Sequence, residues 1–215
     1  MHNQSDLKTE EERKISQDAS SLFGRLLDDL KTRNMLRQTT PEEKRRLLSI
    51  FKNTWILQGA FNEMTKRYEP KNFDDFVLKT GLTKETLVYS FFNQILGNML
   101  ICYESLIKLP LLFFLDEKCG ITKKMTLGKL LEKLQAISPS FVKEINSMID
   151  KNLRNAIAHG TYWLEKDGLH FAQNGYLEGE KVVSFKELQM EMRRISIIGK
   201  AFVHVIRQKA GSGYF

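Results

Sequence analysis

A mainly α-helical bundle with one small β-hairpin inserted before the last helix is the fold this sequence predicts. Three observations carry that prediction. Proline is scarce, 4 residues in 215, and Leu, Lys and Glu, all good helix formers, are abundant. Apolar residues recur at helical spacing in segments that open on Ser or Thr caps, at Thr40, Thr83, Thr126 and Ser138. One Asp-Gly pair, Asp167-Gly168, lies between aromatic and apolar flanks, the strongest short hairpin signal.

The elements follow in order. Residues 6–38 read as one helix with Glu10, Glu11 and Glu12 near its positive end and Leu22, Leu26, Leu27 and Leu30 as its apolar face. Thr40-Pro41-Glu42-Glu43 has the composition of a capping box with proline at the first helical position, and the helix it starts runs to about Tyr68. Lys44-Arg45-Arg46 on that helix suits phosphate contact or a plain solvated face. Glu69-Pro70-Lys71-Asn72 is a break, so the expected organisation is an N-terminal helical arm, 1–70, and a helical domain, 71–215. A short helix at 73–79 ends at Thr80-Gly81.

Thr83 caps a long apolar helix that Pro110 is expected to kink or end, with Cys119-Gly120 closing the element. Its Tyr89, Phe91, Phe92, Phe113 and Phe114 are expected in the core, the alternative being a stacking platform for bases. The stretch 87–115 contains Asn93, Gln94, Asn98, Glu104 and Lys108 and reads as a buried core helix rather than a bilayer span. The start of the chain lacks the pattern of a signal peptide, so a cytoplasmic location is expected. Cys102 and Cys119 have no companion ligands at metal spacing and read as reduced buried thiols.

Thr126 opens a short helix to about Ala136, and Ser138-Pro139 opens one that is expected to run unbroken to His159. Ile145, Ile149, Leu153 and Ile157 are each four apart and share its apolar face. Lys151, Arg154 and Asn155 fall off that row, on the expected polar side. Gly160 stops the helix. The hairpin spans 162–171, Lys181 to Ser184 offers a third strand, and His170 is placed beside the helix end, as a strand-edge surface residue or a neighbour of the site. The last helix runs from about Ser184 to Gln208, with Leu188, Met192, Ile195, Ile198 and Phe202 at helical spacing and His204 expected in the core or an interface.

Net charge is +7. Residues 1–75 carry 14 basic against 13 acidic groups, and residues 76–215 carry 19 against 13. The basic excess thus falls in the half ending with the Leu153–Tyr162 stretch, which suits a polyanionic partner. No P-loop, Gly-x-Gly-x-x-Gly fingerprint, His-Glu metal motif or nucleophile elbow is present.

Within Leu153–Tyr162 the informative residues are Arg154, Asn155 and His159. Asn155 and His159 are i and i+4, hence surface neighbours. Arg154 and His159 are five apart, roughly 140° around an ideal helix. His159 lies in the last turn, at the negative end of the helix dipole, where histidine serves as a cap or as a proton carrier.

Arg154-Asn155, three residues and then His159 resembles the Arg-(four to six residues)-His signature of the HEPN superfamily (higher eukaryote and prokaryote nucleotide-binding), in which a polar residue typically follows the Arg. Thr126-Leu127-Gly128-Lys129-Leu130-Leu131 resembles the helix start that often precedes it, and the resemblance spans roughly residues 83–208. It departs from toxin members that carry Tyr two residues after the His. Thr161 stands there, and Tyr162 follows one later.

The resemblance implies a metal-independent endoribonuclease without cofactor, a toxin or defence effector, acting on RNA as a homodimer whose two motifs share a cleft, with an antitoxin as a conceivable partner. It implies His159 as acid/base, Arg154 as transition-state stabiliser and Asn155 as positioning residue, with Lys151 and Tyr162 contacting substrate. The competing expectation is a non-catalytic nucleotide- or RNA-binding module, or a helical interaction module in which the trio is a cap and a salt bridge.

Overall fold

A computed structural model describes residues 9–116, 120–122, 124–172 and 179–210. The chain is mainly helical, with a three-stranded antiparallel sheet before the last helix. The helices are α1 (Glu10–Thr32), α2 (Pro41–Thr65), α3 (Pro70–Thr80), α4 (Lys84–Cys102), α5 (Leu109–Phe114), α6 (Leu127–Ile137), α7 (Pro139–Met148), α8 (Lys151–His159) and α9 (Phe185–Ala210). The strands are β1 (Tyr162–Leu164), β2 (Leu169–Ala172) and β3 (Glu180–Val183).

Local chemistry sets the helix starts. Thr9, Thr40, Thr83 and Thr126 each accept a hydrogen bond from the backbone N–H three residues on. At Thr40 the capping box is complete: the Glu43 carboxylate also accepts from the Thr40 N–H at 2.9 Å. Ser184 and Glu187 build the same reciprocal pair at the start of α9. Ser138 behaves differently. Its hydroxyl donates to Asp29 at 2.9 Å, tying the start of α7 to α1 instead of capping its own helix.

α1 lies along α9 and also touches α7, so the N-terminal stretch shares its core with the rest. Leu22, Leu26, Leu27 and Leu30 are buried, and Phe23 stacks on Phe202 of α9 with ring centroids 3.5 Å apart. Buried residues on both sides of Pro70 form one apolar cluster.

The long apolar helix is neither broken nor sharply ended at Pro110. Tyr103–Lys108 widen into a π-helical segment that joins α4 to α5. Proline brings no N–H to the preceding turn, and the wider turn accommodates its ring without ending the helix. The helix ends at Phe114, and Leu115 pairs with Leu36 in an isolated antiparallel bridge. Cys119 and residues 211–215 lie outside the described residues. The run Lys84–Phe114 is long and apolar enough to cross a membrane by length and composition, yet 56% of its most apolar window is buried inside the fold. Phe92 and Phe114 are in the core as expected, Phe91 and Phe113 are partly buried, and Tyr89 is exposed. Gly199 of α9 lies so close to the π segment that a Cβ there would sit 2.4 Å from Leu106 Cβ.

The expected unbroken helix from Ser138 to His159 is two helices. α7 ends at Met148, Ile149 is extended, and Asp150 caps α8 by accepting from the Leu153 N–H at 2.9 Å. Ile145, Ile149, Leu153 and Ile157 are all buried, as their spacing requires, but they do not lie on one helix. The hairpin forms where the Asp-Gly signal placed it, with Tyr162 opposite Phe171, and β3 adds to the far edge of β2. Residues 173–178, between β2 and β3, lie outside the described residues. His170 is on the central strand and buried, not at a strand edge, and His204 is exposed, not in the core.

Candidate functional site

α8 packs against α4 and β2, which decides what its nine residues can present. Leu153, Ala156 and Ile157 face the core, and Lys151, Asn155 and His159 are exposed. These last three are i, i+4 and i+8, so they line one face of the helix. Gly160 adopts a left-handed conformation (φ 67°), which glycine takes without Cβ strain, and Thr161 N–H donates back to the Ala156 carbonyl at 3.0 Å. Among the described residues the His159 side chain makes no hydrogen bond or ion pair, so its imidazole is free to meet a ligand.

Arg154 is not on the polar side. Its side chain is 8% exposed and ion-paired with Glu104 in the π-helical segment. Its Nη1 donates to Asn155 Oδ1 at 3.1 Å, and its Nε is buried without an acceptor among the described residues. Two features explain the burial. The break at Asp150 restarts the helical phase, and the π-helical segment that follows α4 offers a carboxylate, Glu104, beside α8. Lys108 also donates to Glu104, at 2.5 Å, so one carboxylate holds two cations. Partial burial works against the Glu104 charge, but the Lys108 and Arg154 hydrogen bonds outweigh it and hold the carboxyl below the usual range.

The N-terminus of α8 is fixed by a second polar cluster. Lys181 of β3 pairs with Asp150 at 2.7 Å. Glu191 of α9, buried, accepts from the Asp150 N–H at 3.1 Å and from the Tyr103 hydroxyl at 3.0 Å, and pairs with Arg194. Burial works against the Asp150 charge too, yet the Leu153 N–H and Lys181 hold its carboxyl below the usual range. Burial and the Glu191 charge push the Tyr103 hydroxyl far up, so it remains a donor.

Tyr162, just past the helix, reaches Asn93 of α4 with its hydroxyl at 3.5 Å. The structure thus brings Arg154 and Asn155 into direct contact, sets Asn155 and His159 on one exposed face with Lys151, and leads through Tyr162 to α4. Glu104, Lys108 and Glu191 carry no motif. The signal that could have found the first two is a carboxylate and an ammonium four apart in an otherwise apolar helix.

The hairpin holds a further group. His170 Nε2 lies 2.7 Å from Asp167, and Nδ1 pairs with Glu180. The Glu180 and Asp167 hydrogen bonds favour the imidazolium and raise its pKa to about 8, against the desolvation that lowers it. Glu165, Asp167 and His170 place one donor atom each within 4.8 Å of one another, a set that would hold a cation only with the imidazole deprotonated.

Comparison with protein-family models, with curated proteins and with solved structures gave no match to this chain.

Proposed function

We propose that this chain is a metal-independent endoribonuclease of HEPN type, working from the exposed face of α8. The observation that supports the reading most is the Arg-Asn-x-x-x-His sequence at the end of a helix whose Asn155 and His159 are both exposed. RNA carries its own nucleophile, so the protein need only position the phosphodiester and move protons. His159 removes the 2′-hydroxyl proton or protonates the leaving 5′ oxygen, as the oxygen–phosphorus bond forms and the phosphorus–5′-oxygen bond breaks. Asn155 contacts the phosphate, and Lys151 and Tyr162 hold the flanking chain. Arg154 reaches the reaction through Asn155: engaged by Glu104, it holds the Asn155 carboxamide in place, and a phosphate would have to displace Glu104 to meet the guanidinium directly. A homodimer would set two such faces on one RNA and supply both proton transfers. Toxin or defence roles, with an antitoxin partner, belong to the same reading.

The test is cleavage of single-stranded RNA in excess chelator. Products with a 2′,3′-cyclic phosphate and a 5′-hydroxyl are expected, because the attacking oxygen is internal. An RNA with deoxyribose at the scissile position should bind and stay uncut. His159→Ala should lose about 10²–10⁴-fold in rate. Cleavage of the deoxy substrate, or 3′-hydroxyl products, would refute the mechanism.

One observation favours a second reading. Arg154 is committed to an internal ion pair, as a structural residue would be. The chain would then be a non-catalytic RNA- or nucleotide-binding module, with tight binding and no cleavage in the same assay.

A further inference from the structure

Away from α8, helices α2 and α9 lie on either side of α4 and leave a cleft of about 710 Å³ between them. That is within the range of small-molecule sites, ~300–1,000 Å³. Its walls are chemically unlike. On α9, Lys186, Arg193 and Lys200 fall every seventh residue, so they form a row roughly 21 Å long on one side of the helix. Arg193 is occupied by Glu12 of α1, whereas Lys186 and Lys200 make no ion pair among the described residues. On α2, Trp55 and Gly59 line the opposite wall, and the floor is Phe61 with Ile95 and Asn98 of α4.

Asn98 is the informative residue. It is 7% exposed, yet among the described residues its carboxamide bonds only to sulfur: Nδ2 donates to Met192 Sδ at 4.0 Å, and Oδ1 accepts from Cys102 Sγ at 4.0 Å. Sulfur is a weak partner, so a buried carboxamide so placed retains most of its hydrogen-bonding capacity. Gln58 bridges the depth of the cleft, accepting from Ser196 at 3.0 Å and donating to Cys102 at 2.9 Å. The Gly59 side is open among the described residues: a Cβ built there meets no atom of another element within 4 Å. An apolar floor, one under-used amide at its base and two unpaired ammonium groups at its rim recognise a specific chemistry.

We infer that the cleft between α2 and α9 binds a small organic anion, with a ring-sized apolar body over Phe61 and Ile95, a polar edge on Asn98 and its anionic head on the ammonium group of Lys186 or of Lys200 at the rim. Sulfonates, carboxylates and phosphate monoesters share that chemistry, and the inference is independent of the nuclease reading.

The experiment uses the full chain and 8-anilinonaphthalene-1-sulfonate, read by fluorescence titration. The parent protein should bind it one to one. N-phenyl-1-naphthylamine, the same rings without the sulfonate, should bind about tenfold more weakly, as should the sulfonate to a Lys186→Ala, Lys200→Ala double variant, because charge-assisted contacts are lost. Inorganic phosphate alone should not compete, since it lacks the apolar body. Gly59→Phe should fill the cleft and abolish binding. If that variant fails to fold by circular dichroism, the double variant, changed only at exposed positions, carries the test. No binding to the parent, undiminished binding to folded Gly59→Phe or to the double variant, or equal affinity for the uncharged probe would overturn the inference.

Discussion

Replacing Arg154 by Ala separates structure from chemistry at this site. The sequence pattern, with Arg154 off the apolar row, predicts a surface change costing within about 0.5 kcal/mol. The structure predicts otherwise. Truncation removes the Glu104 ion pair and the hydrogen bond to Asn155, and leaves a cavity beside the π-helical segment. Breaking a buried pair by removing one partner costs about 3–5 kcal/mol. Glu104 is 33% exposed and keeps Lys108, so its stranded charge is partly relieved. The discounted loss is about 2–3 kcal/mol. At about 2–4 °C per kcal/mol for a chain of this size, the melting temperature should fall by about 4–12 °C.

The assay is thermal unfolding by circular dichroism on parent, Arg154→Ala, Glu104→Gln and the double variant. Because the two residues share one interaction, the double variant should lose clearly less than the two single losses combined. A single-variant shift below about 1 °C, or strict additivity, would refute the argument that Arg154 is held by Glu104. It would return the guanidinium to solvent, where it could meet phosphate directly.

Two more predictions rest on other groups. The His170 imidazolium is favoured in the folded hairpin, with its pKa raised from 6.5 to about 8, so its stabilisation should be complete below pH 6.5 and fade as pH rises through about 8. Proton NMR should show His170 titrating near that value in the parent and lower in Glu180→Gln, and titration at or below 6.5 in the parent would contradict the carboxylate clamp. The proposed homodimer should give twice the chain mass by sedimentation equilibrium at micromolar concentration, and a single-chain mass there would remove the shared cleft from the mechanism.

What was legible in the sequence was local. Thr40-Pro41-Glu42-Glu43 states its capping box in four letters, and Asp167-Gly168 states its hairpin in two. The break at Asp150 was not legible through periodicity. Ile145, Ile149, Leu153 and Ile157 are buried with or without it, so the same row of apolar residues fits one helix or two. The clue was Asp150 itself, an N-cap residue three before Leu153. Arg154 was misplaced for a related reason. A pattern of apolar residues tells which face meets apolar atoms, and says nothing of a carboxylate 50 residues upstream on a neighbouring helix. His170 was misplaced because strand alternation cannot reveal that β3 covers the edge of β2.

The break gives the candidate site its geometry. A nine-residue helix is too short to be stable alone in water. α8 persists because groups from several elements hold its first turn: Lys181 of β3 on the Asp150 carboxylate, Glu191 of α9 on the Asp150 N–H, and the Tyr103 hydroxyl on Glu191 and on the Asp150 carbonyl. Arg154 then clamps the middle to Glu104. These fastenings lie at the N-terminal end or on the buried side, while His159 stands at the opposite end, one residue before the left-handed turn at Gly160. Under the proposed nuclease reading, His159 would have to be exposed to meet a large anion, on a helix held in place for proton transfer. α8 is anchored at its N-terminal end and exposes His159 at the other. Were the helix continuous with α7, its register would follow the packing of α7 on α6 and α1, and the first-turn fastenings from α9 and β3 would have no N-terminus to hold.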